Sequence, residues 1–236
     1  MYVFGFVGSY FLVRWLAKKR SVHLPKDVLQ ELISYLVVGV IIGGRLGYVL
    51  FYNLPFYFAN PLEIFAVWHG GMSFHGGLIG ASLMGWWLTR KRGLPFYPLA
   101  DLCVVTVPMG LGLGRIGNFI NGELFGRPTH VPRAVMFPQG GPVPRHPSQL
   151  YEAFLEGLVL FSVLLWMSER VQTDGVLFWT FIGGYGLARF LVEFFREPDP
   201  QLGLVLGPFS MGQILSLAMI LTAALFLSRM TRDCNG

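Results

Sequence analysis

Hydrophobic residues gather in this chain into seven long blocks, at roughly 1–17, 28–52, 70–90, 98–120, 147–168, 174–195 and 207–228, with polar residues concentrated between them. A run of about 20 predominantly apolar residues is what a helix needs to cross the hydrocarbon core of a bilayer. The pattern predicts an all-α, polytopic integral membrane protein with about seven transmembrane helices. It leaves no room for a second domain, so residues 1–236 are expected to form one transmembrane domain. The first block is short: as a helix it rises only about 25 Å, less than the roughly 30 Å hydrocarbon core. Either it starts inside the membrane or the natural chain begins further upstream.

Composition agrees with the pattern. Charged residues make up 13% of the chain, against about 25% in an ordinary soluble domain. The net charge is +5, and a basic total can signal nucleic acid. Here the basic residues sit beside apolar blocks, so topology is the better explanation and no nucleic-acid partner is expected. The two cysteines, Cys103 and Cys234, form no paired arrangement that would imply a disulfide or a metal site. The positive charges at Arg14, Lys18, Lys19 and Arg20 come at the end of the first apolar block and just after it, the reverse of a cleavable signal peptide.

Basic residues fall into two groups. Lys18, Lys19, Arg20, Lys26, Arg90, Lys91, Arg92, Arg170, Arg229 and Arg232 lie in the connections and tail after blocks 1, 3, 5 and 7, while the connection 53–69 has no Lys or Arg. By the positive-inside rule the first group is cytoplasmic, which places the N-terminus outside and the C-terminus in the cytoplasm. Arg45, Arg115, Arg127, Arg133, Arg145, Arg189 and Arg196 serve no topological purpose. Arg45, Arg115 and Arg189 fall late in blocks 2, 4 and 6, all of which run outward, so all three are expected in the outer half of the bilayer. Intramembrane charge normally faces a cavity or a partner. Two alternatives stand: a shared anionic ligand, favoured because the arginines outnumber nearby acids, or local pairing with carboxylates such as Glu123, Glu152 and Glu193.

Motifs sharpen this picture. Residues 112–117 spell GxGxxG, but a dinucleotide site needs a strand before it and a βαβ unit around it. Within a membrane helix these glycines permit close helix approach or a local break. Arg115, Asn118 and Asn121 are spaced three apart and share a helical face, with Glu123 just beyond. His75 opens block 3 at the depth expected for the arginines, as a site residue or as a satisfied structural one. No HExxH or cysteine cluster accompanies it, and no metal is expected. In 145–152, Ser148 and Gln149 read as structural, while Tyr151 and Glu152, together with Glu156 beyond the motif, face the membrane interior and are expected to pair with polar groups. Arg189 and Glu193 are an i,i+4 pair, with Tyr185 one turn earlier on the same face. Asp101 reads as structural.

At these residues the chain resembles the bacterial prolipoprotein diacylglyceryl transferases. The resemblance rests on GGRLGYVLFYN at 43–53, GGMSFHGGLIG at 70–80, GRIGNFINGELFGR at 114–127, RHPSQLYE at 145–152, GYGLARFLVEFFREPD at 184–199 and SMGQILS at 210–216. It implies a seven-span inner-membrane enzyme whose active site faces the periplasm, with a periplasmic connection at about 121–146. Such an enzyme moves the diacylglyceryl group of phosphatidylglycerol onto the lipobox cysteine of a prolipoprotein and releases glycerol phosphate. Family members usually carry more residues before this start, with a Tyr-Gly element absent here, and some have a longer outer connection.

The implied reaction is substitution by sulfur at a glyceryl carbon. A thiolate must form, for which His75 is the candidate base. Negative charge gathers on the departing phosphate, and arginine binds phosphate bidentately while staying charged. Arg115 and Arg189 are therefore assigned to the phosphate. Asn118, Asn121 and Glu123 would hold the headgroup or orient the arginines, and Tyr185 and Glu193 would position Arg189. Arg45 and His146 complete the expected substrate-binding set. No cofactor is called for, because the lipid carries its own leaving group. Two other classes share intramembrane arginines: an anion transporter, which needs polar access from both faces, and a noncatalytic lipid-binding scaffold.

Overall fold

The computed structural model describes residues 2–197 and 203–233. Cys234 and the last two residues of the 184–199 motif lie outside these, as does the side chain of Arg232. Seven long helical segments occupy the seven apolar blocks: α1 (Tyr2–Lys19), α2 (Lys26–Tyr52), α4 (Phe74–Arg92), α5 (Phe96–Asn121), the run Ser148–Ser168, α8 (Val176–Val192) and α9 (Met211–Asp233). The run Ser148–Ser168 consists of α6 (Ser148–Glu152), a π-helical segment (Ala153–Val159) and α7 (Leu160–Ser168). Among the described residues, four helices are long and apolar enough to cross a membrane: Lys26–Tyr52, Phe96–Asn121, Ser148–Ser168 and Met211–Met230; Val176–Val192 is apolar but shorter. Large apolar side chains on these helices stay uncovered, among them Ile42, Leu83, Phe154, Trp166 and Leu221. Exposed apolar surface on this scale is what lipid covers. The chain is a polytopic helical membrane protein. Its only strands among the described residues are β1 (Leu204–Leu206) and β2 (Phe209–Ser210), a small antiparallel hairpin ahead of α9.

The chain divides into two compact units, one spanning Val22–Ala100 and the other formed by the described parts of Met1–Ser21, Asp101–Asp199 and Gly203–Gly236. In the first unit, α2 and α4 meet backbone to backbone. A Cβ on Gly39 would stand 2.6 Å from the Gly80 carbonyl oxygen, and one on Gly47 2.7 Å from Gly76 Cα. Small residues at four-residue spacing allow this approach between membrane helices, which gives a packing reason for the glycines in two of the quoted motifs. Ser73 caps α4 by accepting from the Gly76 N–H at 3.3 Å. Gly93, in the left-handed region at φ 64°, closes its other end. The same unit contains the connection 53–71, absent from the block pattern as structure: it folds as α3 (Leu54–Ala59) and two short 3₁₀ turns, Pro61–Phe65 and Val67–His69.

In the second unit, buried polar groups close helix ends. The Asp101 carboxylate on α5 accepts from the backbone N–H groups of Gly175 and Phe178, both at 2.8 Å, and so caps the start of α8. Arg20 donates to the carbonyls of Ser168 (3.0 Å) and Val171 (2.7 Å), satisfying the end of α7. Asp101 is structural, as its place near the end of an apolar block suggests. A capping box starts α9: Ser210 Oγ accepts from the Gln213 N–H at 3.3 Å, and Gln213 Oε1 accepts from the Ser210 N–H at 3.1 Å.

Candidate active site

The site of the second unit begins with a contact between glycines. A Cβ on Gly157 would lie 2.7 Å from Gly112 Cα, so α5 and the π-helical segment touch with no side chains between them. Helix α5 runs unbroken through 112–117; of the two possibilities for that glycine run, close approach is the one Gly112 realises. The contact brings Arg115, one turn beyond Gly112, against the acids Glu152 and Glu156 that precede Gly157. The π-helical geometry adds a residue to the turn that carries Glu156, a local feature common at functional sites.

Glu152 joins three arginines. Its Oε2 lies 2.6 Å from Arg115 Nε and 3.3 Å from Arg189 Nη1, and its Oε1 accepts from Arg196 Nη1 at 3.3 Å. Glu156 lies 3.6 Å from Arg115 Nη2 and 4.0 Å from Arg189 Nη1. Arg189 Nη2 completes the set with Glu193 Oε2 at 2.8 Å, the i,i+4 pair expected from the sequence. Glu193 is itself held by the Ser210 hydroxyl, which donates to it at 2.8 Å, and Gly212 leaves room for the carboxylate. Tyr185, fully buried one turn before Arg189, borders the same charges.

Three arginines thus meet three carboxylates, and local pairing describes Arg115, Arg189 and Arg196. The chain-wide excess of arginine misleads here because the other members of that group are engaged elsewhere. Arg127 donates to the Arg196 carbonyl at 2.8 Å, Arg145 pairs with Glu197 at 2.7 Å and stacks on Phe125, and Arg133 sits over the Tyr151 ring. One donor of the cluster stands apart: Arg189 Nη1, buried, has ion-pair neighbours but no hydrogen bond among the described residues.

The structure places the other expected residues less centrally. Asn121 is exposed and donates to Glu123 at 3.2 Å. The Glu123 backbone carbonyl accepts from Gln149 Nε2 at 2.6 Å, and Ser148 Oγ donates to the Leu124 carbonyl at 3.2 Å, so Gln149 and Ser148 anchor the connection 121–146 as structural residues. Asn118, half-buried on α5, contributes its carbonyl to the Glu123 N–H at 3.0 Å. His146 lies 3.3 Å from the Tyr151 hydroxyl and against the Phe195 ring. Burial holds its pKa below the usual imidazole value, and Arg133 adds to the effect.

Arg45 and His75 belong to the first unit. Expectation put Arg45 beside substrate; the structure puts its whole guanidinium on backbone. Nε donates to Ile64 O (2.9 Å), Nη1 to Gly70 O and Gly71 O, and Nη2 to Glu63 O (2.5 Å) and Ala66 O (3.1 Å), with the Tyr57 ring beneath. All five donors are engaged, so Arg45 moulds the connection 53–71 and has no fork left for phosphate. His75 is 8% exposed in the first turn of α4, edge-on to Phe74. Glu152 and Glu156 are the residues that sequence reasoning ranked too low. The available signal was two acids one turn apart in an apolar span, which membrane helices tolerate only with partners.

Helices of transmembrane character that bury a network of arginines and carboxylates define a membrane protein built to handle charge at an internal site. A prolipoprotein diacylglyceryl transferase family profile matches residues 1–229. The chain is 59% identical over 232 residues to a phosphatidylglycerol–prolipoprotein diacylglyceryl transferase of Geobacter sulfurreducens, covering 97% of this chain and 89% of that protein. Proteins of the same name from Vibrio campbellii (50% identical; 96% and 83% covered) and Bordetella avium (53%; 94% and 84%) are also similar. The chain belongs to the prolipoprotein diacylglyceryl transferase family.

Proposed function

We propose that this chain transfers the diacylglyceryl group of phosphatidylglycerol to the lipobox cysteine thiol of prolipoproteins, releasing glycerol 1-phosphate in the first step of bacterial lipoprotein maturation. Its partners are phosphatidylglycerol, the prolipoprotein signal peptide and the surrounding membrane lipids. The observation that carries the reading, beyond family membership, is the pair Arg115 and Arg189 joined through one oxygen of Glu152. Two guanidinium groups held side by side in a site shielded from water suit a phosphate that gains charge as its C–O bond breaks. In this mechanism the thiolate attacks the glyceryl carbon, the C–O bond to phosphate breaks, and the electron pair leaves on the phosphate oxygen. Arg115 and Arg189 receive that charge, Glu152 and Glu193 keep their forks aligned, and Tyr185 supports Arg189. Asn118, Asn121 and Glu123 border the headgroup from the end of α5, and His146 supports the same connection. His75 is the proposed base for the thiol.

The same proposal puts the protein in the bacterial inner membrane and takes residues 1–236 as one catalytic domain. Its N-terminus lies outside and its C-terminus in the cytoplasm, and the active site opens toward the periplasm, in keeping with the distribution of lysine and arginine. The test combines purified protein, phosphatidylglycerol and a lipobox peptide, with mass spectrometry for a diacylglyceryl-cysteine adduct. An adduct is expected. Its absence, with anion flux in liposomes instead, would sink the transferase reading.

A further inference from the structure

Glu156 differs from the other two acids of the cluster. Its side chain is fully buried, yet among the described residues neither carboxylate oxygen accepts a hydrogen bond. Its ties are the two longest in the network, 3.6 Å to Arg115 Nη2 and 4.0 Å to Arg189 Nη1. A buried carboxylate normally collects hydrogen bonds to offset the loss of water, and Glu152 and Glu193 each do so. Glu156 relies on the field of the arginines, Arg115 and Arg189 nearest and Arg196 further off. Beside it lies Arg189 Nη1, a buried donor without a hydrogen bond among the described residues. An acceptor on Glu156 and a donor on Arg189, 4.0 Å apart and both without a hydrogen bond among the described residues, suit a ligand that both donates and accepts hydrogen bonds.

Charge decides what such a ligand requires. Arg115, Arg189 and Arg196 are offset by Glu152, Glu156 and Glu193, so the cluster is already neutral with every group ionised. A phosphodiester brings one more negative charge into a site where charge is poorly screened. The groups facing Glu156 are Arg115 from α5, Glu152 from α6, Tyr185 and Arg189 from α8, and Arg196 beyond it, with Glu193 behind Arg189. Glu152 is clamped by three arginines and Glu193 by Arg189 and Ser210. Glu156 is the acid that can be neutralised with least loss.

We propose that Glu156 takes up a proton when the anionic phosphate of the lipid binds, releasing Arg115 and Arg189 to the phosphate and turning its own carboxyl into a hydrogen-bond donor. Resting on the transferase reading above, this gives Glu156 a positioning and proton-holding part in that reaction. The proton balance closes. One proton enters from water with the lipid, and the thiol passes one, through its base, back to water as sulfur bonds to carbon. The departing glycerol phosphate takes the Glu156 proton and leaves as a monoanion, and Glu156, charged again, re-forms its ties to the arginines.

The test is calorimetric titration of short-chain phosphatidylglycerol into the full-length protein at pH 8, in buffers of different ionisation enthalpy, alongside the adduct assay. Wild type should take up about one proton per lipid bound, by linkage. Glu156→Gln, which copies the protonated form, should keep lipid binding and lose the proton uptake, whereas a structural role alone would leave the stoichiometry unchanged. Wild type that forms adduct and binds lipid without proton uptake overturns the proposal and leaves the transferase reading standing. Uptake that persists in Glu156→Gln overturns it equally. Wild type that forms no adduct overturns the transferase reading, and this proposal with it. Because the wild-type stoichiometry is decisive by itself, the proposal stays falsifiable even if the variant fails to fold.

Discussion

Two buried arginine sites, one in each unit, solve the same problem in opposite ways. Arg45 is saturated by five neutral backbone carbonyls and a tyrosine ring. Every donor is satisfied by main chain that has nowhere else to go, so the guanidinium works as a staple for the connection 53–71. Arg115 and Arg189 are held instead by side-chain carboxylates at 2.6–4.0 Å, and one Arg189 nitrogen keeps no hydrogen bond among the described residues. Carboxylates can be protonated or can yield to a stronger anion; carbonyls cannot. Burial alone does not separate a structural arginine from one proposed to exchange its partner for substrate, since Arg45 and Arg189 are 4% and 8% exposed. The chemical type of the partner does.

Substitutions can break this contrast. The largest effect is expected for Arg115→Ala and Arg189→Ala, each lowering transfer to a lipobox peptide by about 10²–10³-fold while the protein still inserts. A near-normal rate in either would remove that arginine from the chemistry. Next is Glu152→Ala, which leaves three arginines without their common carboxylate and should destabilise the folded protein by about 3–5 kcal/mol. A melting temperature equal to wild type in the same detergent would show that the arginines do not depend on it. Arg45→Ala should cost about 1–3 kcal/mol through unsatisfied carbonyls and raise hydrogen exchange across 53–71. Its transfer rate per folded molecule should fall by less than about tenfold; a loss as deep as that of Arg115→Ala would erase the distinction drawn between the two sites. Smallest is Ser210→Ala, which removes the cap of α9 at about 1 kcal/mol and loosens Glu193, a change to be read in thermal unfolding before any change in rate.

Much of the fold was legible in the chain. All seven apolar blocks are helices in the structure, because in lipid a backbone must satisfy its own hydrogen bonds and a long apolar run has few other options. The pairing of Arg189 with Glu193 followed from helical spacing alone. The connection 53–71 was not legible: its apolar residues lack a period, and its turns are set by the carbonyls that converge on Arg45. The π-helical turn at 153–159 left no mark either, since its apolar and acidic residues suit an ordinary helix equally well.

By itself, then, the sequence determined that the protein crosses a membrane in helices, that its motifs are those of the diacylglyceryl transferases, and that charged residues lie inside its apolar blocks. These depend on composition and short-range order. Only the tertiary structure decided which arginines meet which partners. That choice depends on glycine contacts such as Gly112 with Gly157, which set the distance between helices far apart in sequence, and on where a few carboxylates happen to converge. Charge counted along the chain predicted an excess of arginine; charge counted within 4 Å shows a balance, because electrostatic pairing in a poorly screened interior is settled by proximity.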